Sequence, residues 1–487
     1  MTVEAAYLGV DIGSSGTRVV ALDATGAVRA VARRARPRKP MVITDLERAL
    51  DAERIWSEVE SCLAEVAARC GEVRSLGVCA MRQSLIVLAG DDTVLFASGN
   101  DDLRASLYGA AIDAAHGDAL MRQAGRVPAV IFWPGKLAWL EAEAPDVVAR
   151  ARALTTIEGW VVRRLTGAES IGSVSAAETG ARSIPEDRWL DAVLPAWAQT
   201  LLPPVADGVA AGRLSPTRAR TLGLPEGLPV AMGVPDTHAA ELGSRRTDLA
   251  DGDCVTAGWS LTTLRPQADW DAEVPVWRGL RIGGGYLAES NAGDLASGYA
   301  WLGQDGEGEL TDLASPTDSA AERGIFATTG ARVMDVATAG LGAAGVVSPM
   351  PFADGVPTRE LLATAVLEDL AFAVRGNLER LPPSIGDDAA VRLTGGFAAA
   401  PAAAPILANV LDAPVAAYPR LPVTAIGAAM CGAAAAGDFT LDEASAQLAP
   451  SSRLHQPDPS TARAYDGHYA CWMDLRSRLE AFVQETL

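Results

Sequence analysis

Short apolar runs separated by Gly-rich turns open the chain, and this pattern predicts strands. Leu8 and Val10 precede the first turn, and Val19, Val20 and Leu22 follow it. A second turn and another run with apolar positions predict a third strand. The chain is therefore expected to open with a three-stranded antiparallel meander.

The first turn has a composition suited to phosphate binding. Residues 11–17 read Asp-Ile-Gly-Ser-Ser-Gly-Thr. Gly13 and Gly16 allow positive φ angles and close backbone approach, so amide N–H groups can point at an anion. Asp11 ends the first strand, where a carboxylate can hold Mg²⁺ directly or through water. P-loops and dinucleotide fingerprints need a helix after their glycines, whereas a strand follows here. An ordinary Gly-rich hairpin is the alternative.

The same plan of strand, turn and strand recurs at residues 253–264, with Gly258-Trp259-Ser260 at the turn. Two such hairpins in similar halves indicate a duplicated fold with a cleft between the halves. We expect the two turns to hold one phosphate chain from opposite sides.

A third segment pairs a short strand, residues 390–394, with Gly395-Gly396 and then a helix. The helix N-terminus offers free amides, and the paired glycines would let a flat base lie against bare backbone. The alternative is a plain turn from strand to helix.

Asp236 falls where a helix is predicted to begin, directly after Pro235. Its carboxylate can cap that helix. Placed between two phosphate hairpins, it can also accept the proton of a substrate hydroxyl during phosphoryl transfer. His238, two residues on, is expected on the helix surface.

In order and spacing these motifs resemble the FGGY family of carbohydrate kinases, from about Tyr7 to Gly437. The resemblance implies an α/β fold of two actin-like (ribonuclease-H-like) domains, each a mixed sheet flanked by helices, with an interdomain cleft. It also implies ATP-dependent phosphorylation of a sugar (ketose) or polyol hydroxyl, with Mg²⁺. Further matching segments are residues 136–140, 165–167, 233–243, 367–372 and 425–429.

The resemblance carries roles onto matching residues. Asp236 would be the general base at the substrate, and Asp11 would lie near Mg²⁺. The phosphate contacts would come from Gly13, Ser14, Ser15 and Thr17 in the first turn, and from Gly258, Trp259 and Ser260 in the second. Gly395 and Gly396 would lie at the adenosine. The sugar contacts would be Arg82, Gln83, Asp102 and Arg104, although Arg82 and Arg104 could instead be exposed loop charges.

Several positions depart from the family pattern. Trp259 stands in a loop where many members have Gly-Thr-Ser, and Ala400, Pro405 and Asn409 replace the usual Ser, Gln and Asp. These changes keep two alternatives open. One is a catalytically weakened, kinase-like regulator, and the other is an actin-like ATPase that works as an interaction module. Arg82-Gln83-Ser84 looks polyol-like, but Ile131 stands where glycerol kinases have a Tyr, so the substrate stays undecided.

The predicted domains are residues 1–242 for the sugar and first phosphate hairpin, 243–448 for the nucleotide, and 449–487 as a linker and helical tail. The tail has apolar and aromatic residues at helical spacing and is expected to pack back on either domain. Residues 425–437 are rich in Ala and Gly, which predicts a helix that approaches its neighbours closely and ends at Gly437.

The amino-acid composition excludes some classes of binding partner. The 487 residues carry a formal net charge of −20, which argues against nucleic acid, because phosphate backbones need basic surfaces. The basic run at residues 33–40 is expected to be a solvated loop. Six scattered cysteines indicate reduced thiols in a cytoplasmic protein. The start of the chain shows no signal peptide, and no apolar run predicts a membrane span. A homodimer is left open.

Overall fold

The computed structural model describes residues 6–37, 45–258, 260–294, 314–315, 317–336, 343–350, 356–384 and 389–486. The architecture is α/β and divides into two compact units. The first unit comprises Met1–Thr247, Ala268–Leu287 and Pro422–Pro450. The second comprises Asp248–Gln267, Ala288–Leu421 and Ser451–Leu487. The predicted α/β class is confirmed.

The strands in chain order are β1 Ala6–Gly13, β2 Gly16–Asp23, β3 Val28–Ala35, β4 Val73–Ala80, β5 Leu85–Leu88, β6 Val94–Ser98, β7 Ala153–Thr155, β8 Ile171–Gly172, β9 Arg182–Ser183, β10 Arg188–Trp189, β11 Val205–Ala206, β12 Ala210–Arg213, β13 Pro229–Ala231, β14 Val234–Pro235, β15 Cys254–Ala257, β16 Ser260–Gln267, β17 Trp277–Leu280, β18 Tyr286–Asp294, β19 Phe326–Thr329, β20 Ala344–Val347, β21 Val391–Thr394, β22 Val415–Ala417 and β23 Arg453–His455.

The helices are α1 Ala52–Ala67, α2 Ser106–Gln123, α3 Trp133–Glu143, α4 Pro145–Arg150, α5 Ile157–Thr166, α6 Ser173–Ala177, α7 Ala196–Gln199, α8 Pro216–Leu222, α9 Asp236–Gly243, α10 Arg359–Arg380, α11 Ala403–Leu411, α12 Val423–Ala435, α13 Leu441–Leu448 and α14 Pro459–Thr486. Within the described ranges, none of these helices is long and apolar enough to cross a bilayer.

The main sheet of the first unit has the order β12-β13-β4-β1-β2-β3, and β14 pairs with β4 beside β13. Strands β1, β2 and β3 form the predicted antiparallel meander. Strand β4 runs parallel to β1, β13 and β14. Seven of the eight residues of β4 are buried, as expected of a parallel strand covered on both faces.

The second seven-stranded sheet has the order β17-β18-β16-β15-β21-β22-β23, and its strands from β18 to β23 repeat this plan. Strands β15 and β16 form an antiparallel hairpin, β15 and β21 are parallel, and so are β21 and β22. One edge strand of each sheet runs antiparallel to its neighbour: β12 beside β13 in the first sheet, and β23 beside β22 in the second. The predicted duplication is therefore confirmed at the level of sheet topology.

Helix α12 packs against β1 and β4 at unusually short range. A Cβ atom at Gly9 would lie 1.9 Å from the carbonyl oxygen of Ala425, and one at Gly77 would lie 1.7 Å from that of Ala428. The prediction of a closely packed small-residue helix is thus confirmed. Gly437 follows it with φ +77°, the left-handed conformation typical of a helix end.

The division into units differs from the predicted contiguous domains. Residues 243–247, 268–287 and 422–448, which were predicted to belong to the second domain, cluster with the first unit. The tail belongs to the second unit, where Tyr465, Tyr469 and Trp472 of α14 surround Phe372 of α10. The assignment of sugar to one domain and nucleotide to the other stays a prediction.

Candidate active site

The first hairpin has a two-residue turn. Gly13 pairs with Gly16, so that Ser14 and Ser15 form the tip. Gly16 has φ +140°, and a Cβ atom there would lie 2.1 Å from the carbonyl oxygen of Arg34. Gly16 is thus required both by its backbone conformation and by the approach of β3. Ser15 is exposed and Ser14 half-buried, so both remain candidates for phosphate contact.

Thr17 was predicted to contact phosphate, but its side chain is fully buried. Its hydroxyl group donates to Glu58 Oε2 over 2.9 Å. The reason is the alternation of side chains along β2, which turns Thr17 toward α1. The Thr17 hydroxyl is therefore committed to Glu58, and the predicted phosphate contacts fall to Ser14 and Ser15.

Asp11 lies opposite Arg18 in the hairpin and is half-buried. Burial raises the pKa of Asp11 to about 7, with Arg18 opposing this shift and Asp236 adding to it. Arg18 was not singled out from the sequence, although the cross-strand position opposite Asp11 was a signal that could have identified it. It supplies a guanidinium group beside the predicted metal ligand.

Asp236 is the first residue of α9, as predicted, and follows β14 directly. Val234 of β14 pairs with Cys79 of β4, which in turn pairs with Asp11 of β1. The carboxyl ends of parallel strands meet at one edge of a sheet, so Asp11 and Asp236 lie at the same edge. Burial raises the pKa of Asp236, Arg82 opposes that shift, and the Oδ1 atom accepts the Thr237 N–H over 2.7 Å.

Arg82 and Gln83 follow β4 at this edge and are both buried, with exposed fractions of 5% and 4%. The alternative of an exposed loop charge at Arg82 is therefore wrong. Gln83 has φ +61°, which is uncommon for a residue other than glycine. Its side-chain Nε2 makes no hydrogen bond to any part of the chain that the structure describes. A strained residue with a buried unbonded amide is typical of a ligand-binding position.

Glu178 joins this cluster from α6 and was not predicted. It forms buried ion pairs with Arg126 and with Arg82, the latter at 3.5 Å, and its Oε1 lies 3.7 Å from His238 Nε2. Burial alone would raise the pKa of Glu178, but the two arginines hold it at about 2. His238 is buried, so the expectation of a helix-surface histidine is wrong.

The ring of Trp277 packs near both arginines of this cluster. The guanidinium carbons of Arg126 and Arg82 lie 5.5 Å and 6.0 Å from its ring centroid. No local motif marked Arg126, Glu178 or Trp277, because they come from three separate segments. Buried arginines that share a carboxylate and an aromatic face are held in fixed positions.

Asp102 and Arg104 are also ordered rather than solvated. Arg104 Nε donates to both carboxylate oxygens of Asp102, at 2.8 and 3.0 Å, and its guanidinium lies over the rings of Phe96 and Trp139. Exposure at Arg104 is thus excluded. Lys136 Nζ donates to the carbonyl groups of Gln83 and Gly99, each over 2.7 Å, which connects this segment to Gln83.

The predicted nucleotide segments of the second unit are neighbours. Strands β15 and β21 pair so that Thr256 lies opposite Thr394, directly before the two Gly-containing turns. Gly395 has φ +96°, and a Cβ atom there would lie 2.4 Å from the carbonyl oxygen of Ala257. Gly396 and Gly258 have open space where a side chain would be. Of the predicted contacts, Ser260 is exposed at the start of β16, and Trp259 lies outside the described residues.

Asn409, which departs from the family pattern, has a structural partner. Its Oδ1 atom accepts the backbone N–H of Asp458 over 2.8 Å, just before α14. The amide thus anchors the segment that leads into α14 to helix α11. Ala400 is buried as well, between the short 3₁₀ turn at 396–399 and α11.

The residues at the edge of the first sheet fit a magnesium ion that arrives with a nucleotide. Across the described ranges, no group of three or more His, Cys, Asp or Glu side chains could hold a metal ion. Mg²⁺ keeps several waters and is bound by one or two carboxylates together with substrate phosphates. Asp11 beside the Ser14-Ser15 turn fits that arrangement.

Comparison with known proteins shows a family likeness for the first half of the chain. Residues 6–243 match the N-terminal domain of the FGGY family of carbohydrate kinases. This part of the chain is similar to the FGGY family. Among the similar proteins, YoaC of Bacillus subtilis (strain 168), which is named as a sugar kinase, is 24% identical over 310 residues. That match covers 62% of this chain and 63% of YoaC.

Two further proteins are similar to this chain. An autoinducer-2 kinase from Klebsiella pneumoniae subsp. pneumoniae is 26% identical over 247 residues, which is 48% of this chain and 46% of that protein. The crystal structure of gluconate kinase from Lactobacillus acidophilus superposes with a TM-score of 0.83 at 18% identity, covering 99% of this chain and 100% of that one. The fold is therefore the one that the resemblance implied.

Glu158 gives a prediction about how stability depends on pH. Its side chain is buried on α5, and Gly233 packs directly against it. Burial raises the pKa of Glu158 to about 7 from 4.5, and Asp236 contributes to the shift. A carboxyl group with a raised folded-state pKa costs stability increasingly as pH rises from 4.5 to 7. We therefore compare the free energy of unfolding of Glu158→Gln with that of the wild type at two pH values. The difference should favour the variant by about 2 kcal/mol more at pH 8 than at pH 5.

Urea unfolding at both pH values measures this difference. Glu65→Gln is the matched control, because hydrogen bonding from Arg34 lowers the pKa of Glu65 and its ionised form is favoured in the fold. The control should show no gain at pH 8. An equal change in urea midpoint for Glu158→Gln at the two pH values would contradict the prediction.

Proposed function

We propose that the protein transfers the γ-phosphate of ATP to a hydroxyl group of a sugar or polyol, with Asp236 as the general base. The observation that carries the proposal is the common edge of β1, β4 and β14, where Asp11 and Asp236 lie and where the charge of Asp236 helps to raise the pKa of Asp11. Arg82 and Gln83 lie at the same edge. One carboxylate is thus available for the metal and one for the hydroxyl proton, as phosphoryl transfer requires.

Asp236 is prepared for proton transfer by its surroundings. Its Oδ1 atom accepts both from the Thr237 N–H and from the Thr237 hydroxyl group, so these two hydrogen bonds use the same oxygen. The raised pKa of Asp236 strengthens it as a base. In the proposed step, Oδ2 accepts the hydroxyl proton as the substrate oxygen attacks the phosphorus in line, and ADP leaves.

Each unit has turns that suit phosphate or nucleotide binding. In the first unit, the turn at Ser14 and Ser15 offers hydroxyl and amide groups, and Arg18 supplies positive charge. In the second unit, the adjoining turns at Gly258 and Gly395-Gly396 are the proposed nucleotide contacts. Asp11 would hold Mg²⁺, which neutralises charge on the phosphates when bound.

The substrate side favours a compound with several oxygen atoms. The Arg82 guanidinium and the Gln83 amide can donate to neighbouring hydroxyl groups. Arg82 and Arg126 both form ion pairs with Glu178, which places two guanidinium groups in the cluster, and guanidinium groups recognise carboxylates. Sugar acids therefore belong among the candidates, together with the ketoses and polyols that the sequence indicated.

The direct test is incubation of the purified protein with MgATP and a panel of ketoses, polyols and sugar acids. ADP release and the mass of a sugar phosphate are followed, and a reaction without sugar measures background hydrolysis. Formation of one phosphorylated product supports the proposal. ATP binding without any product across the panel would favour a weakened, regulatory member. ATP hydrolysis that depends on a protein partner would favour the interaction module.

The proposed metal role predicts the behaviour of Asp11→Asn. We expect its affinity for MgATP to fall about tenfold or more, because the amide removes the anionic ligand. The affinity for ATP in EDTA should stay the same or rise, since one negative charge beside the phosphates is lost. Isothermal titration of both nucleotide forms measures the contrast. Equal losses with and without Mg²⁺ would contradict a metal role for Asp11.

A further inference from the structure

Arg36 makes two contacts with the first hairpin that the sequence did not indicate. Its backbone N–H donates to the Ser15 carbonyl over 2.8 Å, and its Nη1 donates to the Gly13 carbonyl over 3.0 Å. The residue was expected to lie in a solvated loop, but it is half-buried. A single residue thus holds the carbonyl groups on both sides of the phosphate turn.

The geometry of the peptide bond gives these contacts a consequence. A trans peptide is planar, and its C=O and N–H groups point in opposite directions. Fixing the Gly13 carbonyl therefore fixes the direction of the Ser14 N–H group at the tip of the turn, and fixing the Ser15 carbonyl holds the other end of the turn. Because the Gly16 N–H closes the hairpin on Gly13, the Ser14 N–H is the amide that a phosphate would use.

Arg36 is itself held firmly. Its Nη2 atom forms an ion pair with Glu58 of α1, and the two side chains are only 13% and 9% exposed. Glu58 also accepts hydrogen bonds from Thr17 Oγ1 and, over 3.2 Å, from Arg54 Nε. The guanidinium is therefore tied to a helix rather than to a loop, which suits a group that must keep a turn in one conformation.

We infer that Arg36 is a positioning residue of the phosphate hairpin. It orients the Ser14 N–H of the Ser14-Ser15 turn by holding the flanking carbonyls, and Glu58 fixes its own position. The inference rests on the proposed function, because it takes this turn to be a phosphate site. Arg36 touches no reacting atom and acts through the backbone of the turn.

The test compares four variants. Arg36→Met keeps the aliphatic stem and removes the guanidinium, but leaves Glu58 without its main partner. The double variant Arg36→Met/Glu58→Gln removes that uncompensated charge and keeps the fold measurable. Glu58→Gln alone leaves the contact of Arg36 with Gly13. Arg34→Met is the matched control, since Arg34 lies on β3 two residues before Arg36 and pairs with Glu65 of α1 over 2.8 Å without holding the turn.

Titration calorimetry with MgATP and with AMP gives the readout. We expect Arg36→Met and the double variant to weaken MgATP binding about tenfold, whereas Glu58→Gln changes it less and Arg34→Met leaves it unchanged. AMP affinity should be preserved in all four, because only the phosphates beyond the first would reach this turn. Urea unfolding confirms that each variant is folded.

The failures of the two proposals can be told apart. If the wild type binds no MgATP, the phosphate role of the hairpin fails and the inference falls with it. If the wild type binds MgATP and the double variant does so equally well, only the inference is overturned. An equal loss of MgATP and AMP affinity would also overturn it, since that pattern indicates a general disturbance of the fold.

Discussion

We expect Asp236→Asn to lower kcat by about 10²–10⁴-fold while MgATP binding stays within about twofold of the wild type. The amide keeps the size of the carboxylate and can still accept the Thr237 N–H, so the start of α9 should be undisturbed. It cannot accept the hydroxyl proton, and the reaction loses its base. Steady-state rates with whichever sugar the panel identifies, together with nucleotide titration, measure the two effects.

The pH profile separates this role from a structural one. Burial raises the pKa of Asp236, so kcat/KM of the wild type should fall as pH drops through a value above the ordinary range of an aspartate. The residual activity of Asp236→Asn should lack that inflection. Asp438→Asn serves as the control, because Asp438 pairs with Arg74 at the surface of the same unit. A wild-type rate in Asp236→Asn would rule out the general-base assignment.

Gly427→Ala should destabilise the first unit by about 3 kcal/mol or more. A Cβ atom at Gly427 would lie 1.9 Å from the carbonyl oxygen of Ala239 and 3.1 Å from the Gly243 nitrogen. Helices α12 and α9 would have to separate, and the interface that carries Asp236 would open. The intrinsic preference of helices for alanine, worth about 1 kcal/mol, is too small to offset this.

Gly117→Ala is the matched control for that substitution. Gly117 also lies within a helix of the first unit, α2, but the nearest atom to an added Cβ is 3.9 Å away. Its urea midpoint should rise slightly, since only helix propensity changes. Because the protein has two units, midpoints should be followed with probes in each of them. Equal midpoints for Gly427→Ala and the wild type would contradict the close packing.

Several site features could be predicted because their signals are local. The Gly-Ser-Ser-Gly turn between two apolar runs specifies a tight hairpin, and Asp236 after Pro235 specifies a helix start. The recurrence of the first pattern near residue 258 indicated a duplicated sheet, which the strand orders confirm. The small residues of α12 likewise predicted that this helix packs closely against its neighbours.

Other features depend on which distant segments meet. Arg126, Glu178 and His238 are separated by more than 50 residues between neighbours, yet they form one buried cluster with Arg82. Their individual positions resemble those of ordinary loop or helix residues. Burial and charge pairing arise only when α6, α9 and the segment before α3 pack together, so no local pattern could identify them.

The sequence by itself determined the elements that local conformation controls: the hairpin turns, the helix that begins at Asp236 and the repeated order of strands. Only the tertiary structure decided the partners of the charged groups, including Arg36 at the hairpin and the arginines at Glu178, and the assignment of residues 422–450 to the first unit. The physical reason is the distance along the chain over which each kind of interaction acts. Backbone conformation and hydrophobic periodicity depend on neighbours in sequence, whereas ion pairing and burial depend on neighbours in space.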